Sequence, residues 1–235
     1  MKLIRTKTYE ELSTICADLI ADVVTAKPDC VLGLATGSSP IGTYDELVRR
    51  YESGKLDFSK VRSVNLDEYV GLDGTHEQSY RYFMDTHLFN RVNIDKKNTY
   101  VPNGLADDPA AHGAWYDENI VALGGIDLQL LGIGLDGHIG FNEPADHFVA
   151  ATHREILDPS TIEANSRFFA SVEEVPTSAI TMGMKSIMQA KAIVLIASGK
   201  KKEEVVLRAF EGDVTPAVPA SILQLHPNVT VILSE

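Results

Sequence analysis

Apolar residues recur along this chain with two alternating periods. From Tyr9 to Ala26 the positions Leu12, Ile15, Cys16, Leu19, Ile20, Val23 and Val24 keep helical spacing, and Thr8 with Glu11 supplies a capping box at the start. CVLGLA (Cys30 to Ala35) is instead a short, nearly all-apolar run, as expected of a strand covered on both faces, and TGSSP punctuates its end. Ser39 then reads as an N-cap and Pro40 as the first position of a helix reaching Arg50. The cycle repeats. Strand-like Val61 to Leu66 precedes helical Ser79 to Leu88, and a short Tyr100–Val101 strand precedes a helix from Pro109 to Leu123. Further strands are expected at Ile126 to Gly134, Ala192 to Ala197 and Val229 to Leu233, with a helix from Lys200 to Glu211. This alternation predicts an α/β fold, an open and mainly parallel sheet between helices on both faces. No repeat or Pro/Gly/Ser linker interrupts it, so residues 1–235 read as a single domain. Only Asn142 to Asn165 breaks the rhythm. It is polar and weakly periodic, and its 146–165 portion is a candidate lid.

Charge narrows the range of partners. The chain has 21 Lys+Arg against 33 Asp+Glu, a formal −12, which argues against nucleic acid or an anionic membrane as a partner. The longest clean apolar run is Ala192 to Ala197, far short of the roughly 18 residues that cross a bilayer. The opening MKLIRTKTYEEL has no apolar core or cleavage site of a secretory signal, so a cytoplasmic location is expected. Cys16 and Cys30, without a CxxC pattern, suit reduced thiols.

In an open parallel sheet, ligands bind beyond the carboxyl ends of the strands, so the residues just after each strand carry the chemistry. Thr36, Gly37, Ser38 and Ser39 follow the first predicted strand, where Gly37 permits a tight turn and serine amides can face an anion. No Lys follows in the Walker spacing, which disfavours a nucleoside triphosphate; an ordinary capped turn is the alternative. Asp67 and Glu68 follow the next strand, placing one carboxylate in the crevice unless one caps a turn and the other is solvated. GIGLDGHIGFNEP satisfies GxGxxG, but Asp136, His138 and Glu143 intrude, and Gly140 and Pro144 discourage a following helix, so a dinucleotide reading fails. The loop offers a histidine whose protonation two acids tune. A divalent metal on Asp136, His138 and Glu143, or a purely structural His138, is the competing account. His76, His87, His112, His147, His153 and His226 lack such company and read as structural or surface residues. Arg167 and Lys202 are cations near strand ends, and a cation at a helix N-terminus is mildly unfavourable unless an anion joins it.

Taken together, LGLATGSSPIGTY, NLDEYVGL, GIGLDGHIGFNEPA, ANSRFF and LQLHP closely resemble the glucosamine-6-phosphate deaminases of the glucosamine/galactosamine-6-phosphate isomerase family, in order from Leu3 to the C-terminus. The resemblance implies a Rossmann-like fold and conversion of glucosamine 6-phosphate and water to fructose 6-phosphate and ammonia, without metal or organic cofactor. By it, Asp67 matches the base that moves a proton from C2 to C1. His138, supported by Asp136 and Glu143, matches the group that opens the pyranose ring. Thr36, Gly37, Ser38, Ser39, Arg167 and Lys202 match the region that holds the 6-phosphate. Members activated by N-acetylglucosamine 6-phosphate carry Ser, Arg and Lys shortly after the EPA motif and a longer tail. Here Asp146, His153 and Glu155 stand at those positions and the sequence stops at Glu235, so no such activation is expected, and a monomer or small homo-oligomer is. The same fold resemblance extends to 6-phosphogluconolactonases, which have no use for a C2 base, and to non-catalytic phosphosugar sensors.

Overall fold

Seven strands form the central sheet of the computed structural model, which describes residues 1–235. Its strands are β1 (Lys2–Thr6), β2 (Val31–Leu34), β3 (Arg62–Asn65), β5 (Thr99–Tyr100), β6 (Leu128–Leu131), β9 (Ile193–Ser198) and β10 (Val229–Ser234). The remaining strands, β4 (Asp67–Tyr69), β7 (His153–Ile156) and β8 (Ser178–Thr181), make a second sheet. The helices are α1 (Tyr9–Ala26), α2 (Ile41–Glu52), α3 (Tyr80–Met84), α4 (Pro109–Ala122), α5 (Pro159–Asn165), α6 (Met184–Met188) and α7 (Lys200–Glu211).

The main sheet has the order β1-β10-β9-β6-β2-β3-β5, with every neighbouring pair parallel. From β2 the chain builds outward through β3 to β5. It then returns to the other side of β2 as β6 and builds outward again through β9 and β10. The direction of winding therefore reverses between β2 and β6, where open α/β sheets leave a crevice at their strand ends. Right-handed crossovers put α1 and α2 on one face and α4 and α7 on the other. One continuous apolar core joins the layers, and the free thiols of Cys16 and Cys30 lie within it, where burial pushes both up to about 12. No helix is long and apolar enough to cross a membrane.

Several expected boundaries move, each for a local reason. The Thr8 hydroxyl accepts from the Glu11 amide as predicted, but Glu11 reaches back to the Lys7 amide rather than to Thr8. Ser39 caps nothing: Pro40 occupies the cap position of α2 without a side-chain bond, and Ser39 belongs to the turn before it. Ser79 does cap α3, yet that helix ends at Met84 and continues to Phe89 as a wider π-helical turn. The strand expected at Tyr100–Val101 falls at Thr99–Tyr100, and the one expected from Ile126 to Gly134 narrows to β6, because the chain bends away from Gly132 onward.

The antiparallel sheet β4-β8-β7 is a feature that periodicity does not predict. Only Leu66 separates β3 from β4, so the chain leaves the main sheet and opens a new ladder at Asp67, opposite Thr181. Within the weakly periodic stretch from Asn142 to Asn165, β7 and α5 give about half of the residues regular structure. Asp117 on α4 fastens its base, accepting bonds from the Thr152 amide (2.8 Å), the Thr152 hydroxyl (2.7 Å) and the Ser186 hydroxyl (2.9 Å).

Candidate active site

A cavity of about 350 Å³ opens at the reversal point between β2 and β6, within the usual size range of small-molecule sites. Nine of the ten residues singled out from the sequence line it: Thr36, Gly37, Ser38, Ser39, Asp67, Asp136, His138, Arg167 and Lys202. Glu143 is the tenth. It stands behind His138, in contact with that ring rather than with the cavity.

The turn after β2 is held from behind and open in front. Gly37 has φ +88°, a conformation that a side chain would strain. The Tyr9 hydroxyl of α1 donates to the Ser38 and Ser39 carbonyls (3.2 and 2.9 Å) and accepts from the Gly42 amide (2.8 Å). With the carbonyls pinned backward, the amides of Thr36 to Ser39 donate to no protein backbone group. Free amides just before a helix make an anion-binding cradle.

Asp67 and Glu68 divide as alternation along β4 requires. Glu68 turns away from the cavity and accepts from the amides of Tyr69, Tyr80 and Arg81, each at 2.9 Å, so it caps α3. Burial raises it to about 7 in spite of those three bonds. Asp67 faces the cavity, is only 5% exposed, and receives no hydrogen bond. Burial and the neighbouring Glu68 charge push it up to about 8, against a smaller opposing effect of His138. A carboxylate so placed is a strong base for its type.

The loop after β6 presents an imidazole between acids. His138 Nδ1 lies 2.9 Å from Asp136 Oδ1 and 3.4 Å from Glu143 Oε2, while Asp136 Oδ1 also accepts from the His138 amide at 3.0 Å. Burial works against the imidazolium, but these contacts outweigh it and raise His138 to about 9. Asp136 is also opposed by burial, yet its bonds to His138 hold it well below the usual carboxylate range. A Cβ on Gly134 would fall 2.4 Å from His138 Nδ1 and 2.5 Å from Asp136 Oδ1, so glycine is what lets the backbone pass beneath the cluster. The ligand-type atoms of the three residues lie within 4.8 Å of one another, a spacing a cation could also use. The three converge on one imidazole nitrogen: Asp136 holds Nδ1 at hydrogen-bond distance, while Glu143 Oε2 stands farther off, buried and without an aligned donor. Nε2, across the ring, has no protein partner and remains for a ligand.

Arg167 and Lys202 meet at the same cavity, close enough for Arg167 to depress Lys202. Burial is the larger cause of that depression, and Asp136 opposes it. The Arg167 guanidinium stacks over Phe168 at 4.7 Å, and Lys202 donates to the Ile133 carbonyl. Two cations that line one cavity, neither in a salt bridge with a carboxylate, can together attract an anion.

Sequence reasoning missed the walls. Ser160, Thr161, Ala164 and Asn165 of α5 line the cavity, as do Tyr80 and Phe141, whose rings stack at 6.0 Å. The polar composition of the 142–165 stretch was the available signal for α5. Tyr9 gave none, since it reads as the first residue of an amphipathic helix. Two of the histidines read as unaccompanied do have acidic neighbours: His147 contacts Asp146, and His153 contacts Glu155 at 2.9 Å.

Unbonded turn amides, two cations, a buried carboxylate and an acid-supported imidazole share one cavity of an α/β fold, an arrangement suited to proton transfer on a small anionic ligand. Comparison with known proteins gives that class its family. The model describing glucosamine-6-phosphate isomerases and 6-phosphogluconolactonase matches residues 5–232, and the chain belongs to that family. It is 59% identical to the glucosamine-6-phosphate deaminase of Lachnoclostridium phytofermentans, over 99% of this chain and 98% of that one. Against the glucosamine-6-phosphate deaminase of Clostridium perfringens strain 13 it is 56% identical, over 100% and 97%. Among solved structures, a monomeric glucosamine-6-phosphate deaminase superposes with a TM-score of 0.98 at 44% identity, covering 100% of this chain and 98% of that one. A 6-phosphogluconolactonase from Shewanella baltica shares the fold, with a TM-score of 0.78 at 22% identity over 100% and 98%.

Proposed function

We propose that the protein is a glucosamine-6-phosphate deaminase, converting glucosamine 6-phosphate and water to fructose 6-phosphate and ammonia. The observation that carries this reading is the unpartnered, buried Asp67 in the same cavity as the acid-supported His138. A lactonase needs no base at C2, whereas an aldose-to-ketose conversion does. The near-full-length relatives named glucosamine-6-phosphate deaminase support the same choice.

The chemistry divides between two stations. At the first, the His138 imidazolium gives a proton to the ring oxygen O5, the imidazole so formed takes the proton that the O1 hydroxyl loses, and the pyranose opens to an aldehyde at C1. At the second, Asp67 removes the C2 proton, now acidified by the aldehyde and the neighbouring nitrogen, while His138 returns the proton to O1, giving an enolamine. Returning that proton to C1 leaves an imine at C2, which water hydrolyses to the ketone with loss of ammonia. The 6-phosphate rests on the Thr36 to Ser39 amides with Arg167 and Lys202. The substrate ammonium lies at the acidic end, so opposite charges orient the sugar before reaction.

Residues 146–165 serve in this reading as a lid over the enolamine, supported by the four α5 residues that already line the cavity. Catalysis without activation by N-acetylglucosamine 6-phosphate is the expected regime. The recess bordered by Glu143, His147, His153 and Glu155 is about 20 Å³, room for water rather than a sugar phosphate. The protein acts as a monomer or small homo-oligomer in the cytoplasm. An ammonia-release assay on glucosamine 6-phosphate, with and without added N-acetylglucosamine 6-phosphate, tests both parts. Hyperbolic ammonia production unaffected by the addition is expected. No ammonia removes the deaminase, and a sigmoidal curve relaxed by the addition removes the unregulated form.

Two further outcomes follow from the site. Lys202→Ala should raise KM about tenfold to a hundredfold with little change in kcat, because a charge-assisted contact of about 1.5–3 kcal/mol is lost equally from ground and transition states. Steady-state kinetics check this, and a kcat defect at constant KM contradicts it. The kcat/KM profile should also be a narrow bell. Below about 8 Asp67 holds a proton and cannot accept another, so the rate falls about tenfold per pH unit as pH drops. Above about 9 His138 loses the proton it must donate, and the rate falls again. A profile flat from pH 6 to 8 contradicts the assignment of Asp67.

A further inference from the structure

The backbone carbonyls from Ile133 to His138 form the floor of the His138 cluster, and each accepts a hydrogen bond. Two are bonded within the loop: Gly134 O accepts from the Gly137 amide, and His138 O from the Gly134 amide. Gly137 O accepts from the Ala220 amide at 2.9 Å. The other three are held by α7 side chains. Lys202 donates to Ile133 O, and Arg208 Nη2 donates to Leu135 O (3.3 Å) and Asp136 O (2.7 Å). Arg208 is exposed on α7 and makes no ion pair with a carboxylate; its guanidinium is directed instead at this backbone. Gly137, with φ +104°, would place a Cβ 2.8 Å from Val218 Cγ1, so the glycine lets the neighbouring segment close against the loop here.

We propose that Arg208 is a positioning residue for catalysis, clamping the Leu135–Asp136 backbone so that the Asp136 carboxylate meets His138 and the imidazole faces the ligand. The inference rests on the reading of His138 as the ring-opening group. Arg208 itself does not line the cavity and touches no substrate. Helix α7 thereby serves both ends of the site: its first turn supplies Lys202 to the anion, and the Arg208 end fixes the loop. Releasing the clamp lets Asp136 drift from Nδ1, which weakens the support of the imidazolium without removing any phosphate contact. The other charges around His138 are Glu143 on its own loop, Asp67 on β4, and Lys202 of α7 with Arg167 farther along the cavity.

The test uses the full chain with Arg208→Ala and Arg208→Gln, read by steady-state kinetics and by NMR titration of the His138 ring. The expected result is a kcat about tenfold to a hundredfold lower, since small misplacements of a catalytic group cost on that order. KM should stay within about threefold, and the His138 midpoint should lie below that of the wild type. If Arg208→Ala fails to fold, Arg208→Gln, which keeps one donor group, is read by the same criteria. A wild-type kcat and midpoint would overturn the proposal, as would a rise in KM alone, or a fall in kcat with the His138 midpoint unmoved. The titration needs no substrate. Absence of ammonia release by the wild type would therefore sink the deaminase reading separately, leaving the comparison of midpoints intact.

Discussion

Asp67→Asn should lower kcat by about 10²–10⁴ while leaving KM nearly unchanged. The substitution keeps the shape of the side chain and removes only its basicity. Asp67 receives no hydrogen bond, so the amide breaks no existing protein contact. Below about 8 Asp67 already carries a proton, so the neutral amide changes no charge there and the variant should fold as well as the wild type. What disappears is the acceptor for the C2 proton. The residual activity should also lose the acidic limb of its pH profile near 8, because the group that titrates there is gone. Kinetics at several pH values measure both effects. An unchanged kcat, or a retained acidic limb, would take Asp67 out of the reaction.

His138→Gln is the second large effect, with kcat lowered by about 10²–10⁴ through a different step. The amide can still hydrogen-bond to Asp136 and Glu143 but carries no transferable proton for O5. The sugar ring also opens without the enzyme, and this variant retains its C2 base, so it should still consume the aldehyde supplied by spontaneous opening. Its residual rate should therefore plateau at the rate of that opening, whereas Asp67→Asn should remain slow however much aldehyde is present. The two variants can be separated by measuring ring opening independently, for example from anomer exchange by NMR. Loss of substrate binding in His138→Gln, with the chemical step intact, would contradict the assignment.

The strands covered on both faces were the readable part of the fold. β2 and β9 are short, nearly uniform apolar runs because both faces are buried, and their length and bounding turn signals mark them as strands. β1 escaped notice as an edge strand with mostly exposed side chains, and its pairing with β10 spans almost the whole chain. The antiparallel sheet was illegible for a related reason. DEY, HREI and SAIT are three or four residues each, and what makes them strands is one another rather than local propensity. That is why Asp67 could be placed after a strand but not recognised as the first residue of a new one.

The site divided along the same line. Chemistry carried by neighbours in sequence was visible: the TGSSP turn, and an imidazole two residues from one acid and five from another. Chemistry that depends on folding was not. Tyr9 lies about 30 residues before the turn it buttresses, and Arg208 about 70 residues after the carbonyls it holds. The DE pair was the intermediate case. Both readings weighed for it were partly realised, with Glu68 capping α3 and Asp67 in the crevice. Only the direction of β4 decided which acid did which.

The central claim is spatial, namely that one amino sugar lies across the cavity with its phosphate at the β2 turn and its C2 at Asp67. A crystal structure with an open-chain amino-alditol 6-phosphate, which can neither cyclise nor isomerise, tests it directly. The phosphate should lie against the amides of Gly37 to Ser39 and the side chains of Arg167 and Lys202, with C2 about 3–3.5 Å from an Asp67 oxygen. A phosphate bound at the Asp67 end, or a C2 carbon out of reach of that carboxylate, would contradict it.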